Sequence, residues 1–131
     1  MRCVVIELIS EMYKGSISLR KPLNIGDISN CYIPEELLNL LKQSNGITET
    51  MVNPETGRLE EISWIIYSYD EIIKWTNFYK DTYSIEGIVF SDNGADEVYY
   101  VKSNGKIYSY DAICEEESYV ADSLQSFFTL S

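Results

Sequence analysis

Apolar residues recur at helical spacing in four stretches of the chain, and cluster or alternate as strands between them. Near the start, Val5, Leu8, Ile9 and Met12 stand at i, i+3, i+4 and i+7 with Glu7 and Glu11 facing away. That spacing predicts a short amphipathic helix, ended by Gly15. Residues 16 to 32 keep no sustained period and read as a connection with room for a short strand. Pro34 then opens a second helix, its first turn acidic through Glu35 and Glu36, its buried face made by Leu37, Leu38, Leu40 and Leu41. Asn45-Gly46 supplies residues able to close it in a left-handed conformation.

Thr48 to Val52 and Ser63 to Tyr67 read as strands on either side of a turn at Pro54-Glu55-Thr56-Gly57. Ser68 with Glu71 three residues later is a capping-box pattern and starts a third helix. On that helix Ile72, Trp75, Thr76, Tyr79 and Tyr83 share a face, an aromatic stripe that reads as core. Gly87 to Phe90 is a short apolar strand, and Asp92-Asn93-Gly94 a turn. Val98 to Lys102 and Ile107 to Asp111 flank Asn104-Gly105, a strong hairpin signal. A two-residue loop there sets Val101 opposite Tyr108 and Tyr99 opposite Tyr110, so one face carries three tyrosines and a valine. Val120, Leu124, Phe127 and Phe128 form the stripe of a closing helix, preceded by Glu115, Glu116 and Glu117 at its positive end. The expected class is α+β: a mostly antiparallel, twisted sheet of about four to six strands with helices packed on one side.

Composition narrows the function. The 131 residues suit one domain, 1–131, with a core that needs no staples. No apolar run reaches the length of a membrane span, and the start of the chain lacks the form of a signal peptide, so a cytoplasmic location is expected. Cys3, Cys31 and Cys114 are odd in number and widely spaced, and read as buried or half-buried free thiols. Histidine is absent, which excludes Ser-His-Asp and Cys-His nucleophilic sites and imidazole-bound metals. The net charge of −11 repels phosphate backbones and attracts basic partners.

Several of these segments together resemble the SUKH superfamily, the Smi/Knr-type domains. Ile33-Pro34-Glu35-Glu36-Leu37-Leu38 running into Ser44-Asn45-Gly46-Ile47 is similar to the family's helix and following turn. Ile65-Ile66-Tyr67-Ser68-Tyr69-Asp70-Glu71-Ile72-Ile73 matches its strand-to-helix step. Ile88-Val89-Phe90-Ser91-Asp92-Asn93-Gly94, the hairpin at Asn104-Gly105, and Val120 to Phe128 supply the rest. The resemblance runs from Ile33 to Phe128; residues 15 to 32 lack the tryptophan and acidic-aromatic segment that many members carry there. It implies an α+β fold and a non-enzymatic role. Bacterial members are mostly regarded as immunity proteins that bind and neutralise toxin domains, often nucleases. Fungal members are regulatory hubs. The family pattern offers no catalytic residue.

The carboxylates fall in surface-like runs, Glu60-Glu61, Asp96-Glu97 and Glu115 to Glu117. Asp92-Asn93-Gly94-Ala95-Asp96 fails the spacing of a calcium loop, and no glycine-rich phosphate loop occurs. No catalytic residue, cofactor or metal site is therefore assigned. Eleven tyrosines exceed the usual need of one small core; they suit the centre of an interface or, equally, line a half-buried sheet. The expected function is a protein-binding domain of immunity type, with a basic toxin domain as partner and no direct nucleic acid or membrane contact. A monomer or weak homodimer is expected. The expected contact residues are Asp92, Asp96, Glu97, Glu115, Glu116 and Glu117 at the rim, with Trp64, Tyr99 and Tyr100 nearer the centre. A regulatory scaffold is the alternative, and a carboxylate-based hydrolase or small-ligand binder the third reading.

Overall fold

The computed structural model describes residues 3–24, 26 and 33–129. Its elements run α1 (Val4–Met12), β1 (Ile17–Leu19), α2 (Glu35–Leu41), β2 (Ile47–Val52), β3 (Leu59–Ile66), α3 (Tyr69–Tyr83), β4 (Ile88–Asp92), β5 (Glu97–Val101), β6 (Ile107–Asp111), β7 (Glu116–Ala121) and α4 (Leu124–Phe127). The strands form two antiparallel sheets, β1-β2-β3 and β4-β5-β6-β7. The α+β class follows, with seven strands among the described residues. The sheets meet where the Tyr67 amide donates to the Phe90 carbonyl (2.8 Å) and the Ser91 hydroxyl to the Ile65 carbonyl (2.7 Å).

The three-residue spacing from Ser68 to Glu71 starts α3 as expected, but Glu71 does not close a full capping box. Ser68 Oγ accepts from the Glu71 amide at 3.5 Å, while the Glu71 carboxylate takes the indole N–H of Trp75 at 3.0 Å. Asn45 Oδ1 accepts the Tyr69 amide at 2.7 Å, satisfying another first-turn donor. Asn45-Gly46 thus does not close α2, which ends at Leu41. Gly46, at φ +103°, instead lets the chain turn into β2 beneath the Trp64 ring. Pro34 stands just before α2 as its cap residue rather than within its first turn.

Residues 103–105 form the loop of the β5–β6 hairpin, one residue longer than expected. The Gly105 amide donates to the Lys102 carbonyl, the Lys102 amide to the Lys106 carbonyl, and Gly105 takes φ +85°. A type I turn followed by a left-handed glycine adds one residue to the two-residue alternative. Register shifts by one, and every side chain changes its opposite partner. Tyr100 faces Tyr108 and Val98 faces Tyr110, while Tyr99 faces Ser109 and Val101 faces Ile107. One face still carries three tyrosines and a valine, but Tyr100 and Val98 replace Tyr99 and Val101.

Residues expected in the closing helix extend the sheet instead. Glu116 to Ala121 form β7 on β6, and α4 keeps only Leu124–Phe127. Tyr119 and Val120 favour strand, and pairing with β6 outweighs the helical stripe. The N-terminal end of α4 is held by Glu36 of α2, whose carboxylate accepts from the Leu124 and Gln125 amides at 2.8 and 3.0 Å. Helices cover both faces of this sheet, where the sequence predicts one. Tyr79 and Tyr83 of α3 meet Tyr110 on one face, and Phe127 of α4 meets Tyr99 and Phe90 on the other. The core between them holds Ile9, Leu37, Leu40, Ile72, Phe90 and Leu124, all essentially inaccessible. Each such side chain contributes roughly 1.5–3 kcal/mol through burial.

Candidate partner-binding surface

The turns β4–β5 and β6–β7 lie side by side at one end of the four-stranded sheet, tied by the Ala112 amide donating to the Asp96 carbonyl. Register there sets Glu97 opposite Asp111, and Asp111 opposite Glu116. Three carboxylates therefore stand in line across three strands. Like charges directly opposite each other cost stability, and among the described residues no ion pair reaches any of them. The field they create is visible on Cys114, whose thiol is pushed up chiefly by Asp111, with burial, Glu116 and Asp96 adding to it. Cys114 is exposed at the β6–β7 turn rather than buried, Cys3 is half-buried, and Cys31 lies outside the described residues.

On one side of this acidic end, a cleft of about 330 Å³ opens between α1, β3, β4 and α4. Trp64, Asp92 and Tyr99 line it together with Tyr13, Ser91 and Phe127. The structure thus brings three of the expected contact residues together, and Glu97 joins them through Tyr99. Burial raises the Tyr99 phenol, and the charge and hydrogen bond of Glu97 raise it further. Burial also raises Tyr13, with Glu49 adding to it. Asp92 accepts from the Tyr67 hydroxyl and, at 2.8 Å, from the Gly94 amide, so its carboxylate is fixed in place.

The other expected residues are distributed differently. Asp96, Glu115 and Glu116 are exposed at the acidic end. Glu115 and Glu116 reach it from a turn and a strand, not from a helix terminus. Glu117 is neutralised by Lys102, 3.0 Å away, and by the Tyr100 hydroxyl. Tyr100 is wholly buried and so cannot stand at an interface centre. Its place on the sheet face that carries Tyr108 and Tyr110 follows from the one-residue change in hairpin register.

Sequence reasoning missed two features. Asp111 completes the acidic line, and only the register reveals it. The α3 stripe is not all core: Ile72 and Thr76 are buried, but Trp75, Tyr79 and Tyr83 are half-buried and Phe78 is 45 % exposed. Rings of Trp75, Phe78, Tyr79, Tyr83 and Tyr110 make one contiguous array with centroids 5.1 to 6.4 Å apart. A larger cleft of about 510 Å³, beside Lys80 and Lys102, contains none of the expected residues. Among the described residues no cluster of carboxylates and thiols could hold a metal ion, and no helix is long and apolar enough to cross a membrane.

No curated protein and no solved structure matches the chain. The profile of the SMI1 / KNR4 family (SUKH-1) matches residues 27–130. The chain belongs to the SMI1 / KNR4 family (SUKH-1).

Proposed function

We propose that the chain is a non-catalytic binding domain of immunity type, which captures a basic toxin domain in the cytoplasm of a bacterium and blocks it. The observation that carries this reading is the line Glu97, Asp111 and Glu116, held in register with no ion pair to a cation among the described residues. A fold that tolerates such repulsion gains from it when a partner supplies the positive charge. The net charge of −11 acts in the same direction at longer range. Family membership supports a role in protein–protein interaction.

Among the expected contact residues, Asp92, Asp96, Glu97, Glu115 and Glu116 form the rim, and Trp64 and Tyr99 line the adjoining cleft. Edge strand β7 opens with Glu116, exposed and without an ion pair among the described residues, so a second copy pairing there would meet like charge. That favours a monomer. Co-expression with the toxin-like protein encoded beside this chain tests the proposal. Co-purification and relief of toxicity are expected. A pair that neither co-purifies nor relieves toxicity contradicts it.

A further inference from the structure

The chain twice builds the same arrangement of aromatic ring, cation and carboxylate. Arg20 lies 4.7 Å from the Trp64 ring and 2.6 Å from Glu61. Lys102 lies 4.2 Å from the Tyr108 ring and 3.0 Å from Glu117. A neighbouring ring, Tyr119, has Lys106 at 6.0 Å. In these places a cation completes an electron-rich surface from within the fold.

The array on α3 has the rings and the carboxylates. Tyr79 and Tyr83 stack on each other at an interplanar angle of 29°, both meet Tyr110 edge-on or tilted, and Phe78 is 45 % exposed. Asp111 and Glu115 adjoin Tyr110, and Asp92 acts on Tyr79; burial is the main cause of both raised phenols, with these charges adding to it. Lys74 covers Trp75 at one end, 4.8 Å from the ring. Among the described residues no Lys or Arg lies over Phe78, Tyr79, Tyr83 or Tyr110. This array lies on the face of the sheet opposite the line of Glu97, Asp111 and Glu116, and Glu115 in the β6–β7 turn stands beside its Tyr110 end.

We infer that the array of Phe78, Tyr79, Tyr83 and Tyr110, with Asp92 and Glu115 along its border, is the surface that receives the arginine side chains of a basic partner protein. Arginine fits better than lysine because its planar, weakly hydrated guanidinium stacks on rings while its edge bonds carboxylates. The inference rests on the binding role proposed above and names where and by what chemistry it acts.

Calorimetric titration of the intact chain with an oligo-arginine peptide at low salt tests it. Saturable binding is expected, with about five- to tenfold loss for Phe78→Ala. A larger loss is expected for Phe78→Lys, which puts a cation of the chain's own over the array. Tyr119→Ala, on the patch beside Lys106, should bind as the parent does, and an oligo-lysine peptide should bind more weakly. Absence of binding, equal affinity in both Phe78 variants, an equal loss in Tyr119→Ala, or oligo-lysine binding as tight as oligo-arginine would overturn the inference. A toxin domain that binds Phe78→Lys as tightly as the parent would remove this surface and leave the binding role standing.

Discussion

Tyr100, in the middle of β5, donates a hydrogen bond from its phenol to the carboxylate of Glu117 on β7, bridging across β6 beside the stacked ring of Tyr108. Lys102 holds the same carboxylate from the hairpin side. Burial is the main reason the Tyr100 phenol stands far above its ordinary value of 10.0, with the hydrogen bond to Glu117 next. The same bond holds Glu117 below its ordinary 4.5, ahead of the opposing effect of burial and the help of Lys102. This pair locks three strands of the sheet whose end carries the acidic line.

Stability should therefore depend on pH in two places. Glu117, depressed in the fold, contributes above the ordinary carboxylate range, and that contribution is lost as pH falls through its folded value. Tyr100, raised in the fold, contributes below the ordinary phenol range, and that contribution is lost as pH rises toward its folded value. Tyr100→Phe should cost about 1 kcal/mol at neutral pH, given the solvent around Glu117. It should also flatten both limbs of the stability profile. Urea unfolding across pH checks both.

A second prediction concerns Gly46. A Cβ there would stand 2.8 Å from the Trp64 ring and 3.0 Å from the Ser68 amide nitrogen, on a backbone at φ +103°. Gly46→Ala should cost about 2–4 kcal/mol, from left-handed strain and forced repacking together. Gly57, at φ +71° with open space around it, provides the comparison. Gly57→Ala should cost only the strain, about 1 kcal/mol. Thermal unfolding of both variants separates the two contributions.

The acidic line leads to a third. Glu116→Gln removes one of two like-charge contacts with no ion pair to lose among the described residues. Stability should rise by about 0.3 kcal/mol at low salt, and the gain should shrink as salt screens the repulsion. Binding of a basic partner should weaken in the same variant. A substitution that stabilises the free chain and weakens the complex is what a charge kept for binding predicts.

Helices α1, α2 and α3 are legible because apolar spacing marks all three, and Ser68 caps α3. Their existence needs only residues close in sequence. The faces of the hairpin were not legible, because Asn104-Gly105 permits two loop lengths and one residue decides which tyrosines are buried. Tyr100 and Tyr99 exchanged roles for that reason. Glu116 to Ala121 carried both a helical stripe and strand-favouring residues, and only the presence of β6 beside them settled the outcome. Trp64, Asp92 and Tyr99, far apart in sequence and each suited to an interface on local grounds, line one cleft. Asp111 went unnoticed because its significance lies in cross-strand register, which no local pattern carries.

In the proposed function, an acidic, ring-bearing surface of this domain recruits a basic protein by charge. Stopped-flow association with a basic toxin domain that co-purifies with the chain, followed from low to high salt, tests it most directly. Fast association that slows steeply with salt, and slows further in a Glu97→Gln, Glu116→Gln double variant, is the predicted result. Association independent of salt and unchanged in that variant would contradict it.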